Sequence, residues 1–366
     1  MAIAGFTPYP VLRRLIRRYG VDERYRKRAR ARLLTSALAE PLRGWERLRY
    51  GRRLARTEIA PEPVFLLGYG RSGTTHLHNL LWQDPQFGVV SNYQTTVQSF
   101  ALTGRGWLER ALAKRMPAKR PMDNVAISVD APQEEEIALV NSTEYAPLHF
   151  MSFPRALPGA YDPYVCDLGD DPARLEGFRR AYVRVLRKAT ILADGRRLAL
   201  KTPTNTARIP FLLETFPDAK FVHIIRNPYL VYQSMRNMWR VVIPRETLQE
   251  FGWEELDAWT ADAYVRVMRR YLEDRKRIPE GRLFELRFED LDQRPLEVLP
   301  QLYAELDLGG WEQARPGIER YLEGLGRFEK NRFEFPSDVV EVVNREWGFA
   351  LDAFGYERIA PGEVPR

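Results

Sequence analysis

The sequence predicts an α/β fold, a three-layer sandwich in which helices cover both faces of a central parallel sheet, with a helical arm in front of it. One observation is a short apolar run, Val64–Leu67, that leads through a glycine-rich loop into a helical pattern at 76–82. A second is that the order of strand, polar loop and helix recurs further along the chain. Strands that alternate with helices are typical of a parallel sheet buried on both faces.

The helical arm is predicted for residues 1–60. Apolar residues recur at helical spacing over 11–19, arginines fall on the opposite face, and Gly20 follows as a stop. A second helical stretch runs over 22–40 and is expected to end before Pro41, and the apolar residues beyond it indicate a third. The arm has 16 Lys and Arg against 5 Asp and Glu, which gives it a net charge of +11.

Two interpretations of this basic arm stay open. We favour a helical arm that packs on the body of the protein or on the second subunit of a homodimer. The alternative is a basic amphipathic arm that lies on an anionic membrane surface or meets a lipid-like substrate.

The rest of the chain, residues 61–366, predicts a single domain. The segment 91–163 is irregular and rich in proline and aromatic residues, which is typical of lid or pocket insertions on one fold. Beyond the first strand, the apolar pattern predicts strands at 198–201, 221–225 and 283–288 and helices at 256–277 and 296–306.

Composition narrows the class of protein. The chain is 45% hydrophobic and 29% charged, as globular proteins are. Its net charge is +7, and the residues outside the arm sum to −4, so the charge does not indicate nucleic-acid binding. The single Cys166 allows no internal disulfide, and the sequence contains neither a signal-peptide pattern nor an uninterrupted apolar run of membrane-spanning length. We therefore expect a cytoplasmic protein, with membrane association limited to its surface.

The strongest functional motif is the loop GYGRSGTT at 68–75, between a buried strand and a helix. Glycines let the backbone amides turn inward, and the helix N-terminus adds positive potential, so the loop suits an anionic phosphate. The spacing matches the phosphate loop of nucleotide hydrolases, but the expected Lys is replaced by Thr74. The later strand 221–225 ends in Arg226 instead of a magnesium-binding Asp. A kinase or hydrolase with a degenerate loop is therefore the alternative and not the first choice.

Two motifs carry a resemblance to a known family. The sequence from Gly70 to Thr75 resembles the 5′-phosphosulfate loop of sulfotransferases that use 3′-phosphoadenosine 5′-phosphosulfate (PAPS), with Arg71 in the place of the usual Lys. Arg226 and Ser234, eight positions apart, resemble the pair that holds the 3′-phosphate in that family. The resemblance covers about 64–308, and more loosely continues to 356.

The resemblance implies a sulfotransferase that moves the sulfuryl group of PAPS to a hydroxyl of a small-molecule, glycan or lipid acceptor, releases PAP and needs no metal. A non-catalytic nucleotide-binding member of the same fold is a further alternative. The residues that the resemblance implies for cofactor binding are Gly70, Arg71, Ser72, Gly73, Thr74, Thr75, His76, Arg226, Ser234 and Phe288.

Two cations are expected to act in catalysis. Arg71 is expected to contact the bridging oxygen and the 5′-phosphate, where its permanent charge can stabilise the leaving group. Lys201, in the Leu-Lys-Thr-Pro text at a strand end, resembles the Lys that faces the sulfuryl group in related enzymes. The sequence departs from the family at Asn205, where many relatives have His, and Asn cannot serve as a base near neutral pH.

The general base is therefore sought in the text PQEEE at 132–136, which resembles a Pro-Gln-Glu-Asp-Glu stretch of the bacterial branch. Pro132 is expected in the first turn of a helix, with carboxylates near its positive end. Glu134 is the first candidate and Glu136 the second, and a solvated helix start is the structural alternative. His149 is a further candidate, or else a core histidine, and the basic tail 327–332 is a candidate second clamp on the 3′-phosphate.

Overall fold

The structure, a computed structural model, describes residues 3–116, 128–325 and 335–360. Its strands are β1 Val64–Leu67, β2 Phe87–Gly88, β3 Arg197–Lys201, β4 Lys220–Ile225 and β5 Leu283–Arg287. Its helices are α1 Tyr9–Tyr19, α2 Arg26–Leu38, α3 Glu40–Arg56, α4 Thr74–Trp82, α5 Asn92–Thr96, α6 Ala101–Gly104, α7 Trp107–Ala113, α8 Glu135–Val140, α9 Pro172–Leu192, α10 Ile209–Thr215, α11 Pro228–Glu246, α12 Trp253–Asp274, α13 Phe288–Gln293, α14 Pro295–Glu305, α15 Trp311–Gly324, α16 Ser337–Glu346 and α17 Gly348–Phe354.

The strands form a five-stranded sheet in the order β2-β3-β1-β4-β5. β4 pairs in parallel with β1, with Phe65 opposite Phe221, and also in parallel with β5, with Val222 opposite Phe284. All four residues of β1 are buried, as expected of a strand covered on both faces. The predicted fold class, α/β with a central parallel sheet, is confirmed.

The described residues divide into two compact units. The first consists of Met1–Ala60, Gly88–Leu200 and Trp239–Trp253, and the second of Pro61–Phe87, Lys201–Met238 and Glu254–Arg366. We refer to them as the first and the second unit. The predicted division into an arm, 1–60, and a single domain, 61–366, stays a prediction.

The first unit contains the three N-terminal helices. The apolar face of α1 packs against Ala29, Phe153 and Leu248, and α1 ends at Gly20, whose φ of 79° suits a glycine. The expected second helix begins later, because a 3₁₀ turn occupies Glu23–Tyr25 before α2. α2 ends at Leu38, before Pro41 as expected, and Pro41 lies in the first turn of α3, where a missing backbone N–H costs nothing.

The core of the second unit is aromatic. The ring of Phe65 on β1 lies 5.8 Å from that of Phe221 on β4. Trp347 is fully buried, stacks on Tyr264 at 3.6 Å and donates from Nε1 to the carbonyl of Ala261 at 2.9 Å. The Phe65–Phe221 contact joins the two strands whose carboxyl ends carry the motifs described next.

Among the described residues, no helix is both long enough and apolar enough to cross a membrane. The cytoplasmic location and the homodimer expected from the sequence stay predictions.

Candidate active site

The loop between β1 and α4 is built so closely that two of its glycines have no room for a side chain. A Cβ on Gly68, at φ 145°, would lie 2.7 Å from the carbonyl oxygen of Ile224. A Cβ on Gly73, at φ 93°, would lie 2.2 Å from Cδ2 of Phe288. The loop backbone therefore lies directly against β4 and against the ring that follows β5, which is the close approach that glycine permits.

The polar groups of the loop are held in place by the second unit itself. The Gly68 amide donates to Oγ1 of Thr206 at 2.8 Å, and Ser72 and Thr74 are buried. Arg71 has a φ of 70°, a left-handed conformation that is costly for a residue with a side chain. Such strain is typical of functional sites, where the surrounding structure maintains it.

Arg71, Ser234 and Arg226 are in direct contact. The Nε of Arg71 donates to Oγ of Ser234 at 2.9 Å, and Nη1 of Arg226 donates to the backbone carbonyl of Arg71 at 3.0 Å. Arg71 of the phosphate loop thus contacts both Ser234 on α11 and Arg226 at the end of β4. This concentration of donors suits a multiply charged anion.

Arg226 follows β4 and is placed over an aromatic ring. Its Cζ lies 4.4 Å from the ring centroid of Phe288, within the range of a cation–π contact. Burial lowers the pKa of Arg226, Glu289 opposes this shift, and the charge of Arg71 adds to it. Its buried Nε has no hydrogen-bond partner among the described residues. A buried, unsatisfied donor beside a second cation is an arrangement that an anionic ligand would complete.

Lys201 ends β3 and contacts α4. It is 2% exposed, and its Nζ donates to Oγ1 of Thr75 at 3.3 Å. Asn205 is buried and accepts a hydrogen bond from Nη1 of Arg208 at 3.3 Å. Asn205 thus has a structural contact in this unit.

His76 also lies against Phe288, the residue that contacts Arg226. Their ring centroids lie 6.5 Å apart with the rings edge to face. Burial lowers the pKa of His76, and the charge of Asp292 only partly opposes this shift. The second unit therefore brings together all ten residues predicted for cofactor binding, and Lys201 as well.

The predicted bases lie elsewhere in the chain. Glu134 and Glu136 belong to the first unit, where Glu134 precedes α8 as its N-cap residue and Glu136 lies in its first turn. The expectation for Pro132 was wrong, because α8 begins three residues later and Pro132 forms an antiparallel bridge with Ser91. A solvated helix start is also wrong for Glu136, which is fully buried.

His149 belongs to the first unit and is a core histidine. It is 4% exposed, its Nε2 lies 2.9 Å from the carbonyl oxygen of Thr143, and burial lowers its pKa to about 4. The basic tail at 327–332 lies outside the described residues.

Three residues that support the site were not found from the sequence. Thr206 holds the loop amide, Met235 lies against Gly70, where an added Cβ would meet its sulfur at 3.0 Å, and Glu289 accepts from the amide of Asn227 at 3.1 Å. Thr206 comes five positions after Lys201, in a polar stretch at a strand end, and that position is the only sequence signal that points to it.

The parallel sheet, the glycine loop at the end of β1 and the basic cluster at the end of β4 together define a class of protein. They indicate an enzyme that transfers a group from a donor carrying more than one phosphate-like anion, at the carboxyl edge of the sheet.

Comparisons with known proteins identify the family. A family model described as the sulfotransferase family matches residues 63–313. Two relatives named omega-hydroxy-beta-dihydromenaquinone-9 sulfotransferase Stf3, from Mycobacterium bovis and Mycobacterium tuberculosis, are each 32% identical over 318 residues, which is 87% of this chain and 81% of theirs. The chain belongs to the sulfotransferase family and is a sulfotransferase.

Solved structures show the same fold. Sulfotransferase STF9 from Mycobacterium avium is similar with a TM-score of 0.70 and 20% identity, over 98% of each chain. Sulfotransferase STF1 from Mycobacterium tuberculosis is similar with a TM-score of 0.59 and 17% identity, over 92% of this chain and 90% of that one.

Proposed function

We propose that this sulfotransferase takes its sulfuryl group from PAPS, passes it to a hydroxyl of a lipid-like acceptor and releases PAP. The observation that supports the donor is the set of cations around the glycine loop of the second unit. Lys201 donates to Thr75, Arg71 donates to Ser234, and Arg226 donates to the backbone carbonyl of Arg71. PAPS has two anionic ends, a 5′-phosphosulfate and a 3′-phosphate, and we assign Lys201 to the first and Arg226 with Ser234 to the second.

The residues present fit this donor. The glycine loop leaves its backbone free to approach a phosphate, since a side chain on Gly68 or Gly73 would collide with β4 or Phe288. The unsatisfied Nε of Arg226 and the hydroxyl of Ser234 are donors for the 3′-phosphate. Phe288, which already lies against Arg226, offers an apolar face for the adenine.

Lys201 and Arg71 are assigned to different parts of the reaction. The donor supplies the sulfuryl group, and the acceptor oxygen takes it as the bond to the phosphate oxygen breaks. Lys201, buried beside the loop hydroxyl of Thr75, is the cation for the sulfuryl end. Arg71 was predicted to stabilise the bridging oxygen, and its contact with Ser234 adds a role beside the 3′-phosphate. As a permanently charged group it donates hydrogen bonds but does not transfer protons.

The acceptor class rests on the relatives. Those that are 32% identical over most of this chain are named as sulfotransferases of a hydroxylated menaquinone. We therefore place a long apolar alcohol first, ahead of a glycan or a small polar alcohol. Incubation with ³⁵S-labelled PAPS and one alcohol of each class would test the order, and transfer to the glycan alone would contradict it.

Glu134 is the proposed base that takes the acceptor proton. Changing Glu134→Gln keeps its size but removes its basicity, so we expect turnover to fall about a hundredfold while PAP affinity stays unchanged. Glu176→Gln, an exposed carboxylate on α9, is the matched control. Unchanged turnover in Glu134→Gln would remove this residue from the mechanism, and Glu136→Gln would then be measured in the same assay.

The test of the donor compares PAP with AMP, which differs from it only by the 3′-phosphate. We expect calorimetry to show that the wild type strongly prefers PAP. Arg226→Ala should lower PAP affinity about a hundredfold and leave AMP affinity nearly unchanged, because only PAP has a 3′-phosphate that loses charged hydrogen bonds. Arg315→Ala, an exposed arginine of the second unit paired with Glu319, is the control. A wild type that binds AMP as tightly as PAP would overturn the proposal.

A further inference from the structure

Exposed apolar side chains are concentrated on two consecutive helices of the first unit. Leu34 and Leu38 on α2 and Trp45 and Leu48 on α3 are between 57% and 83% exposed. In the described part of the chain, the other large hydrophobic side chains of comparable exposure are scattered singly. Single exposed leucines are ordinary, but four large apolar side chains exposed within fifteen residues are not.

The spacing of these residues places each pair on one side of its helix. Leu34 and Leu38 are four residues apart, and Trp45 and Leu48 are three apart. On α3 the stripe continues one turn further to Arg52, and on α2 it begins one turn earlier at Arg30, and both arginines are exposed. We call these six residues the α2–α3 face.

Contacts on the opposite sides of the helices fix this orientation. On α2, Arg32 is buried and donates to Glu246 Oε2 at 3.0 Å. On α3, Arg43 donates to the carbonyl of Ser36 at 2.6 Å, and Glu46 is buried as the partner of Lys188. The inward sides of both helices are thus occupied by buried polar groups, so the face cannot rotate inward without breaking ion pairs.

The charge on the outward side has one sign. Residues 26–56 include two acids, Glu40 and Glu46, and both are engaged by cations of the first unit, Arg43 and Lys188. The lysine and arginines that remain exposed over these helices are Arg26, Lys27, Arg30, Arg47, Arg49, Arg52, Arg53 and Arg56. Leucines and a tryptophan are therefore surrounded by cations, with no exposed carboxylate on either helix.

We propose that the α2–α3 face is a peripheral binding surface for anionic lipid bilayers. Leucine and tryptophan side chains enter the boundary between headgroups and acyl chains, and arginines bind the lipid phosphates. A nucleic acid would satisfy the arginines but not the leucines. The assignment narrows the membrane-binding alternative for the arm, residues 1–60, to α2 and α3, because the apolar face of α1 is already packed within the first unit. It does not depend on the proposed donor or acceptor.

The experiment is co-sedimentation of the full-length protein with two kinds of vesicle, phosphatidylcholine alone and an equal mixture with phosphatidylglycerol. We expect binding to the mixed vesicles that weakens with added salt, and little binding to the neutral ones. The double variant Leu38→Ser with Leu48→Ser should bind about tenfold more weakly. Leu296→Ser, a half-exposed leucine of α14, is the matched control and should bind as the wild type does.

A fluorescence measurement identifies which helices touch the lipid. Adding mixed vesicles should shift the tryptophan emission of the wild type to shorter wavelength, and Trp45→Phe should reduce this shift. Trp107→Phe, which removes another exposed tryptophan of the first unit, should not.

Several results would overturn the proposal. One is no binding of the wild type to mixed vesicles. Another is equal binding of the double variant with its PAP affinity and thermal unfolding unchanged. Light scattering that shows a dimer lost in the double variant, without vesicle binding, would assign the face to a second copy of this chain.

Discussion

Arg32 in the first unit is buried and Arg226 in the second is half-buried, and different groups compensate their charges. Arg32 donates to the buried carboxylate of Glu246 at 3.0 Å. Arg226 donates to the backbone carbonyl of Arg71, lies 4.4 Å from the ring of Phe288, and has a buried Nε with no hydrogen-bond partner among the described residues. The first arrangement is complete as it stands, and the second would be completed by the anion that we propose as its ligand.

Two buried lysines also differ in the group that accepts from them. Lys188 of the first unit pairs with the fully buried Glu46, and burial lowers its pKa to about 8. Lys201 of the second unit donates to the hydroxyl of Thr75, at the start of the helix that follows the phosphate loop. A buried cation with its own carboxylate stabilises the fold, whereas one directed at the hydroxyls of a glycine loop suits a ligand. Burial alone therefore does not distinguish structural from functional cations, and the chemistry of the neighbouring acceptor does.

The largest expected effect is on stability, in the first unit. Arg32→Ala leaves the Glu246 carboxylate buried without its guanidinium, so we expect the free energy of unfolding to fall by about 3–5 kcal/mol. Arg226→Ala removes a half-buried cation that lies beside Arg71, so its free energy of unfolding should stay within about 1 kcal/mol of the wild type. Denaturant unfolding of both variants without ligand measures the difference.

The opposite order of stability losses would contradict this contrast between the two arginines. If Arg226→Ala unfolded more readily than Arg32→Ala, the cluster around Ser234 would be a structural element and not a ligand site. A double variant, Arg32→Met with Glu246→Leu, serves as the control, because replacing both partners with apolar groups should recover most of the lost stability.

The sequence predicted the second unit better than the first, because the motifs of the second unit are local. The strand, the glycine loop and the helix around Gly73 follow one another directly, and Arg226 and Ser234 are eight residues apart. The resemblance to sulfotransferases implied that these residues meet, and the meeting of the carboxyl ends of parallel strands at one edge agrees with it. The structure brings them together, and their roles remain proposals.

The missed features depend on partners that are distant in the sequence. Arg32 and Glu246 are 214 positions apart, and nothing in the arm distinguishes Arg32 from the exposed arginines around it. The burial of Glu136 could not be seen either, since adjacent acids usually indicate a solvated helix start. The contact between Arg71 and Ser234 joins two motifs that the sequence assigned to different ends of the donor. In each case, whether a charged residue is buried depends on which side chains surround it in the fold, and the periodicity of the sequence does not specify those side chains.

Lys201 and Lys188 provide a second test of the contrast between cations that bind a ligand and cations that stabilise the fold. Lys201→Met keeps the length of the side chain and removes its charge beside Thr75, so we expect turnover with radiolabelled PAPS to fall about a hundredfold. Thermal unfolding should change little. Lys188→Met should do the reverse, because it leaves the Glu46 carboxylate buried with only backbone amides such as that of Leu102, at 2.8 Å, to stabilise it. Both lysines are buried and both are changed to Met, so an effect of the substitution itself would appear in both variants. A Lys201→Met enzyme that keeps full turnover would place the sulfuryl-end cation elsewhere and would leave Arg71 as its first candidate.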